Sequence, residues 1–155
     1  MDFPELEPLG EFHRSIVELI GDCTRAIRDQ ALATLISWEN EQTAGLELVP
    51  ANPNASRLHV ILDYPTLTFG NSEAGETGEM FGSDDEILVE LRQIIADVIA
   101  GRVEVGLYEE RGLLGLGKVG ITYVKVGDPD DPSYWSTRGP EGSGYVPFVK
   151  NFEPY

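Results

Sequence analysis

One segment near the middle of the chain limits the possible folds more than any other, because it predicts a helix with a defined start. Ser83-Asp84-Asp85-Glu86 fits a capping box, in which a serine hydroxyl and a glutamate carboxylate each accept a hydrogen bond from a backbone N–H at a helix start. Gly101 follows at a position suited to end the helix. Between them, apolar residues recur at helical spacing: Ile87, Leu88, Leu91, Ile94, Ile95, Val98 and Ile99. The pattern predicts a helix over residues 83–100 whose wide apolar face must pack on a core.

A second helical pattern occupies the first quarter of the chain. Apolar residues spaced by three and four predict a helix over residues 9–37, with a bend at Gly21 because an interior glycine weakens a helix. Cys23 lies on the apolar stripe of this helix. We therefore expect a buried, unreactive thiol.

Alternating apolar residues predict strands in the remainder of the chain. Residues 45–49 and 57–64 are predicted to form one hairpin across a turn-forming linker. Residues 102–109 and 113–126 are predicted to form another, and residues 145–152 a final short strand.

Two segments with few apolar residues are predicted as loops, residues 65–82 and 127–144, with residues 66–69 extending a strand or starting a new one. The order of elements predicts a single α+β domain over residues 1–155. We expect a mainly antiparallel sheet with two principal helices packed on one face.

The chain is strongly acidic, with 27 acidic and 11 basic residues and a formal net charge of −16. Residues 1–100 hold 19 of the acids and only 5 of the bases, and the segment between Asn71 and Leu91 holds seven acids and no base. Such a surface repels nucleic acids and anionic membranes and attracts basic proteins. The charge therefore predicts a basic protein partner, although it would also serve solubility alone.

Other features of the sequence predict an intracellular location. Cys23 is the only cysteine, so an internal disulfide is excluded. The amino-terminal residues show no basic segment followed by an apolar one, and no apolar run approaches the length of a membrane span. We expect a cytoplasmic protein without a membrane partner.

Motifs that resemble catalytic or cofactor sites lack the context that they need. The glycines before Lys118 match part of a phosphate-binding loop, but the residues that follow predict a strand instead of the required helix. His13 and Cys23 lie about 15 Å apart along one predicted helix, too far for a nucleophile and its base. The sequence predicts no catalytic residues, no cofactor and no metal site, and hence a protein that is not an enzyme.

Acidic and apolar residues of the two predicted loops are the candidates for binding a partner. The acids of residues 73–86 would form one negative patch with the helix N-terminus, while apolar residues beside them would either anchor a partner or tuck into the core. The predicted partner-binding residues are Glu73, Glu76, Glu79, Met80, Phe81, Asp84, Asp85, Glu86, Tyr134 and Trp135.

The acidic balance, and the capped helix that leads through Gly101-Arg102 into a strand, resemble the immunity proteins that bacteria make against polymorphic or contact-delivered toxins. The resemblance implies an antitoxin that covers the active site or another essential surface of a basic toxin. Two alternatives remain open. One is a small-molecule-binding protein or enzyme with a pocket between sheet and helices, lined by Tyr64, Tyr108, Tyr123 or Trp135. The other is an acidic mimic of nucleic acid.

Overall fold

The computed structural model describes residues 10–25, 27, 30–37, 43–63, 66–71, 75–80, 82–110, 118–137 and 145–155. Two helices and nine strands occupy these ranges, and the strands form two antiparallel sheets. The predicted α+β class is therefore confirmed, with two sheets where one was expected. Among the described residues, no helix has the length and apolar character that crossing a membrane requires.

The first helix is shorter than its sequence pattern predicts. Helix α1 spans Glu11–Arg25 and buries the stripe that includes Ile16 and Ile20, but residues 31–37 form strand β1 (Ala31–Ser37). The predicted helix over residues 9–37 is therefore confirmed for Glu11–Arg25 and wrong over residues 31–37. Alanine, leucine and threonine there are compatible with both structures, and pairing with a neighbouring strand selects the extended one.

The first sheet is a five-stranded antiparallel meander in the order β1-β2-β3-β4-β5. Strands β2 (Thr43–Pro50) and β3 (Leu58–Asp63) form the predicted first hairpin. Strand β4 (Thr66–Asn71) confirms that a new strand starts at residues 66–69. Strand β5 (Gly75–Met80), however, lies within the loop predicted over residues 65–82. That prediction was wrong because glycines and glutamates disfavour strands on their own, whereas a neighbouring strand supplies the hydrogen bonds here.

Helix α2 spans Asp84–Ile99 and confirms the capped helix predicted for residues 83–100. Ser83 is its N-cap, and both halves of the capping box are present. Its buried apolar residues lie on the predicted apolar face and include Ile87, Leu91 and Ile94.

The second sheet has four strands in the order β8-β7-β6-β9. Strands β6 (Val103–Glu110) and β7 (Lys118–Gly127) form the predicted second hairpin, and β9 (Tyr145–Asn151) is the predicted final strand. Strand β8 (Pro132–Thr137) lies inside the loop predicted over residues 127–144, so that prediction is corrected.

One hydrophobic core is shared by both helices and both sheets. It joins Ile16 of α1 and Leu91 of α2 to Leu48 and Val60 of the first sheet and Val105 of the second. All five are at most 2% exposed. The helices therefore lie against the same core as the sheets, which fixes the surfaces that they turn to solvent.

The carboxyl-terminal residues bridge the two halves of the fold. Glu153 N donates to Asn54 O at 3.2 Å, and Tyr155 N donates to Ile99 O at 3.0 Å at the end of α2. Gly101, with φ of +74°, permits this crossing, since a Cβ there would lie 2.6 Å from Pro154 N. The segment thus closes over the end of α2.

Strand β9 is an edge strand of the second sheet and carries Phe148 (43% exposed) and Val149 (52% exposed). Phe152 N donates to Val103 O at 3.2 Å, and the register between β9 and β6 is continuous. In an antiparallel pair, every second residue directs its N–H and C=O toward the neighbouring strand. Phe152 directs its N–H toward β6, and Pro147 lies five residues before it, so the nitrogen of Pro147 points away from β6. The outer edge of β9 therefore lacks one N–H donor.

Candidate functional site: an acidic groove between the helices

The start of α2 presents three acidic side chains to solvent, of which one is held by the cap. Glu86 Oε2 accepts from Ser83 N at 2.9 Å and from Ser83 Oγ at 2.8 Å, and Ser83 Oγ accepts from Glu86 N at 3.4 Å. These hydrogen bonds, the backbone one first, hold the pKa of Glu86 below its ordinary value. Asp84 and Asp85 are exposed beside Glu86, and the capping hydrogen bonds do not involve their side chains.

A groove with a volume of about 350 Å³ runs between α1 and α2. Each helix contributes four residues at positions i, i+3, i+4 and i+7, which is the spacing of one helix face. From α1 these are Ser15, Glu18, Leu19 and Asp22, and from α2 they are Asp85, Leu88, Val89 and Arg92. The groove is therefore built by one regular face of each helix.

The groove combines an apolar floor, formed by Leu19 and Leu88, with a mainly acidic border on which Val89 is also exposed. Leu19 is 5% exposed and belongs to the core, Leu88 is half-buried, and Val89 is 72% exposed. The bordering charges are three carboxylates and one guanidinium. Among the ion pairs that described residues make with one another, one involves this border: Arg25 Nη2 lies 2.8 Å from Asp22 Oδ1.

Cys23 lies next to the groove on α1 and is half-buried against the core. Burial raises the pKa of its thiol; the charge of Arg92 works in the opposite direction and that of Asp22 in the same one. A thiol whose pKa is raised is a poor nucleophile at neutral pH. Cys23 is thus only half-buried, where the sequence predicts a buried thiol, and its low reactivity stays a prediction.

A second depression lies where the end of α2 meets β8, and a buried carboxylate forms its floor. Asp97 is 2% exposed, and its oxygens accept from Ser133 Oγ at 2.6 Å and from Arg102 Nε at 2.8 Å. Arg102 Nη2 also donates to it, as does Gln93 Nε2 at 3.2 Å. Asp128, Asp131 and Pro132 complete the lining.

The hydrogen bonds around Asp97 keep its carboxyl group ionised. Burial works to raise its pKa, but the hydrogen bonds from Ser133, Arg102 and Gln93 and the charge of Arg102 outweigh burial, so the pKa lies below its ordinary value. A carboxylate that is held ionised by three donors is a weak base. Asp97 is therefore suited to fixing Ser133 in place and not to activating it as a nucleophile.

The depression differs from the pocket predicted for a small-molecule ligand. Neither Tyr108 nor Tyr123 lines it, and Tyr123 Oη donates to Glu104 Oε1 at 2.8 Å on the second sheet. Tyr64 and the side chain of Trp135 lie outside the described residues. The side chains of Gln93, Arg102 and Ser133 are all hydrogen-bonded to Asp97, which favours a structural role for this cluster.

Acidic residues elsewhere in the described ranges do not assemble into a metal site. The turn of residues 128–131 exposes three aspartates, and Asp130 N donates to Asp128 Oδ1 at 2.9 Å. Within the part of the chain that the structure describes, no group of three or more histidine, cysteine, aspartate or glutamate side chains is arranged to hold a metal ion.

The predicted partner-binding residues are distributed over several parts of the fold. Asp84, Asp85 and Glu86 are exposed together at the start of α2, as expected. Met80 is 2% exposed within the core, so the prediction of a surface anchor there is corrected in favour of the core alternative. Tyr134 is half-buried and packs against the core.

The other predicted residues are described in part or not at all. Glu76 and Glu79 lie on β5 and Trp135 lies on β8, but their side chains lie outside the described part of the chain. Glu73 and Phe81 are outside the described residues, as are the glycines of residues 112–117 that match a phosphate-binding loop. The segment after those glycines is strand β7, as the sequence predicted.

Sequence reasoning missed the α1 side of the groove. Glu18 and Asp22 share one face of α1 because they are four residues apart, and Val89 is an apolar residue outside the buried stripe of α2. Both signals are present in the sequence. Only the packing of α1 on α2 shows that these two faces border the same groove.

No protein-family model, curated protein or solved structure matches the chain.

Proposed function

We propose that this chain is a non-enzymatic acidic binding protein, and specifically a cytoplasmic immunity protein that neutralises a basic toxin by covering its active site or another essential surface. The observation that carries the proposal is the groove between α1 and α2, where exposed carboxylates from both helices surround an apolar floor. An acidic rim around apolar contacts is the arrangement that attracts and then holds a basic protein.

The charge of the helices supports this proposal. Together α1 and α2 contain eight acidic and three basic residues, and the whole chain has a net charge of −16. The electrostatic field of such a net charge increases the rate at which basic proteins associate, and the effect weakens as salt screens the charges.

The test is to isolate the tagged chain from its source organism at low salt, identify the protein that co-purifies, and assay that protein with and without the chain. The expected partner is basic, it dissociates as the salt concentration rises, and its toxic activity is lost at a one-to-one ratio. The product of the neighbouring gene is the first protein to assay. A chain that remains alone at low salt contradicts the proposal, and a partner that duplex DNA displaces would favour the mimic of nucleic acid instead.

A further inference from the structure

The groove between α1 and α2 differs chemically along its length. Asp85 and Glu18 are acidic and exposed, whereas Arg92 brings a positive charge close enough to Cys23 to influence the pKa of its thiol. Arg92 lies two helical turns from Asp85 along α2, about 10 Å at 1.5 Å per residue. Asp22 also lines the groove near Arg92, since both charges act on the Cys23 thiol, but Arg25 pairs with Asp22 at 2.8 Å. A cation that enters the groove is therefore attracted near Asp85 and repelled near Arg92.

The groove offers apolar surface beside these charges, mainly on its border. Val89 is 72% exposed and lies between Asp85 and Arg92 on the same face of α2, next to the half-buried Leu88. Lysine and arginine side chains bind such surfaces by laying their methylene stems on apolar atoms while the charged head stays near water or an acid. An aliphatic side chain of a partner can also cover Val89, with lysine or arginine residues beside it near the acids of the groove.

Charge limits what can occupy the groove. A second copy of this chain would bring another net charge of −16, and nucleic acids and anionic lipid surfaces are likewise repelled. A basic protein segment has the complementary sign and can cover Val89 with apolar atoms at the same time.

We infer that the groove between α1 and α2 is the docking site for a basic amphipathic segment of a partner protein. A lysine or arginine head contacts Asp85 and Glu18, and apolar atoms of the segment cover Val89 and Leu88. Arg92 sets the orientation of the segment by repelling positive charge from its end of the groove. This inference rests on the proposed function for the sign of the partner's charge.

The experiment titrates the full chain with a synthetic amphipathic peptide that bears leucines on one helical face and arginines beside them, at low salt, with methyl NMR and calorimetry as readouts. Peptides with glutamate in place of arginine, or serine in place of leucine, are the ligand controls. We expect the shifts to concentrate on the methyl groups of Leu19, Leu88 and Val89, and both control peptides to bind at least about fivefold more weakly.

Pairs of variants, one inside the groove and one outside it, test whether the peptide binds in the groove. Asp85→Asn is expected to weaken binding by about two- to fivefold, whereas Asp84→Asn, which removes the same charge from the same exposed helix turn outside the groove, changes affinity less than twofold. Val89→Ser is expected to weaken binding by about fivefold and Val149→Ser on β9 to leave it unchanged. Arg92→Gln is expected to strengthen binding by about two- to fivefold.

Equal effects of Asp84→Asn and Asp85→Asn, or shifts confined to other surfaces, would overturn the docking site and leave the proposed function standing. A complete lack of binding by the arginine peptide would also overturn the docking site. The proposed function is decided separately, by the protein that co-purifies from the source organism.

Discussion

The hydroxyl of Ser133 on β8 lies 2.6 Å from the buried carboxylate of Asp97 on α2. This bond joins the last turn of α2 to an edge strand of the second sheet, and the same hydroxyl lies 2.9 Å from Val126 O on β7. Gly127, with φ of +108°, fits closely there, since a Cβ would lie 2.6 Å from Ser133 N. Asp97 therefore fixes how α2 meets the second sheet.

Replacement of Asp97 by alanine is expected to lower the free energy of unfolding by about 2–3 kcal/mol. The variant loses several charge-assisted hydrogen bonds, and the Ser133 hydroxyl keeps Val126 O as its one acceptor among the described residues. Urea unfolding at pH 7 measures the change. Asp130→Ala, which removes an exposed carboxylate, is the control and should change stability by less than about 0.5 kcal/mol. Equal effects of the two variants would contradict the role assigned to Asp97.

The contribution of Asp97 is also expected to depend on pH. Its pKa in the folded chain lies below its ordinary value of 3.8, so on acidification the unfolded chain takes up this proton first. The stabilisation is fully present above about pH 5 and is lost as pH falls through the folded-state pKa. Urea unfolding at a series of pH values should show the difference between wild type and Asp97→Ala narrowing below pH 4. A difference that is constant with pH would exclude this linkage.

Replacement of Ser83 by alanine is expected to lower the free energy of unfolding by about 1 kcal/mol, because the start of α2 loses its N-cap acceptor. Ser83→Asn supplies another side-chain oxygen at the N-cap and should cost less than about 0.5 kcal/mol. Thermal and urea unfolding of both variants measure the difference. If both variants are equally unstable, the side chain at this position acts in some other way than as a cap.

Two tyrosines are expected to respond in opposite directions to loss of the phenolic hydroxyl. Tyr155 Oη is buried without a hydrogen-bond partner in the described structure, and burial raises the pKa of its phenol. Tyr155→Phe should therefore leave stability unchanged or raise it by up to about 1 kcal/mol. Tyr123→Phe removes the hydrogen bond to Glu104 and should cost about 0.5–1.5 kcal/mol. A clear loss of stability in Tyr155→Phe would show that its hydroxyl has a partner in solution.

The parts of the fold that could be predicted from sequence are those with strong local signals. Helix α2 combines a capping box with a regular apolar face, and the two hairpins alternate apolar residues around turn-forming segments. In each case the local preference and the final structure agree, so no information from distant residues was needed.

The parts that were missed depend on pairing between strands. Strands β1, β5 and β8 lie at sheet edges, and each is hydrogen-bonded to a neighbour whose position a local pattern does not reveal. In β1 an apolar run compatible with a helix becomes a strand beside β2, and in β5 two glycines are held extended by β4.

The candidate site was predicted in one half only. The acids at the start of α2 were found because the capping box places them, whereas Glu18, Asp22 and Val89 join them only through the packing of α1 on α2. Asp97 was hidden because a sequence does not show that a carboxylate on an apolar helix face will meet Arg102 and Ser133.

Pro147 has a consequence for how this protein behaves when it is concentrated. When sheets associate edge to edge, they pair through the N–H and C=O groups of free edge strands, and the missing donor of Pro147 interrupts that row beside the two exposed apolar side chains Phe148 and Val149. Pro147 therefore disfavours edge-to-edge association at β9, the strand on which these two apolar side chains are exposed.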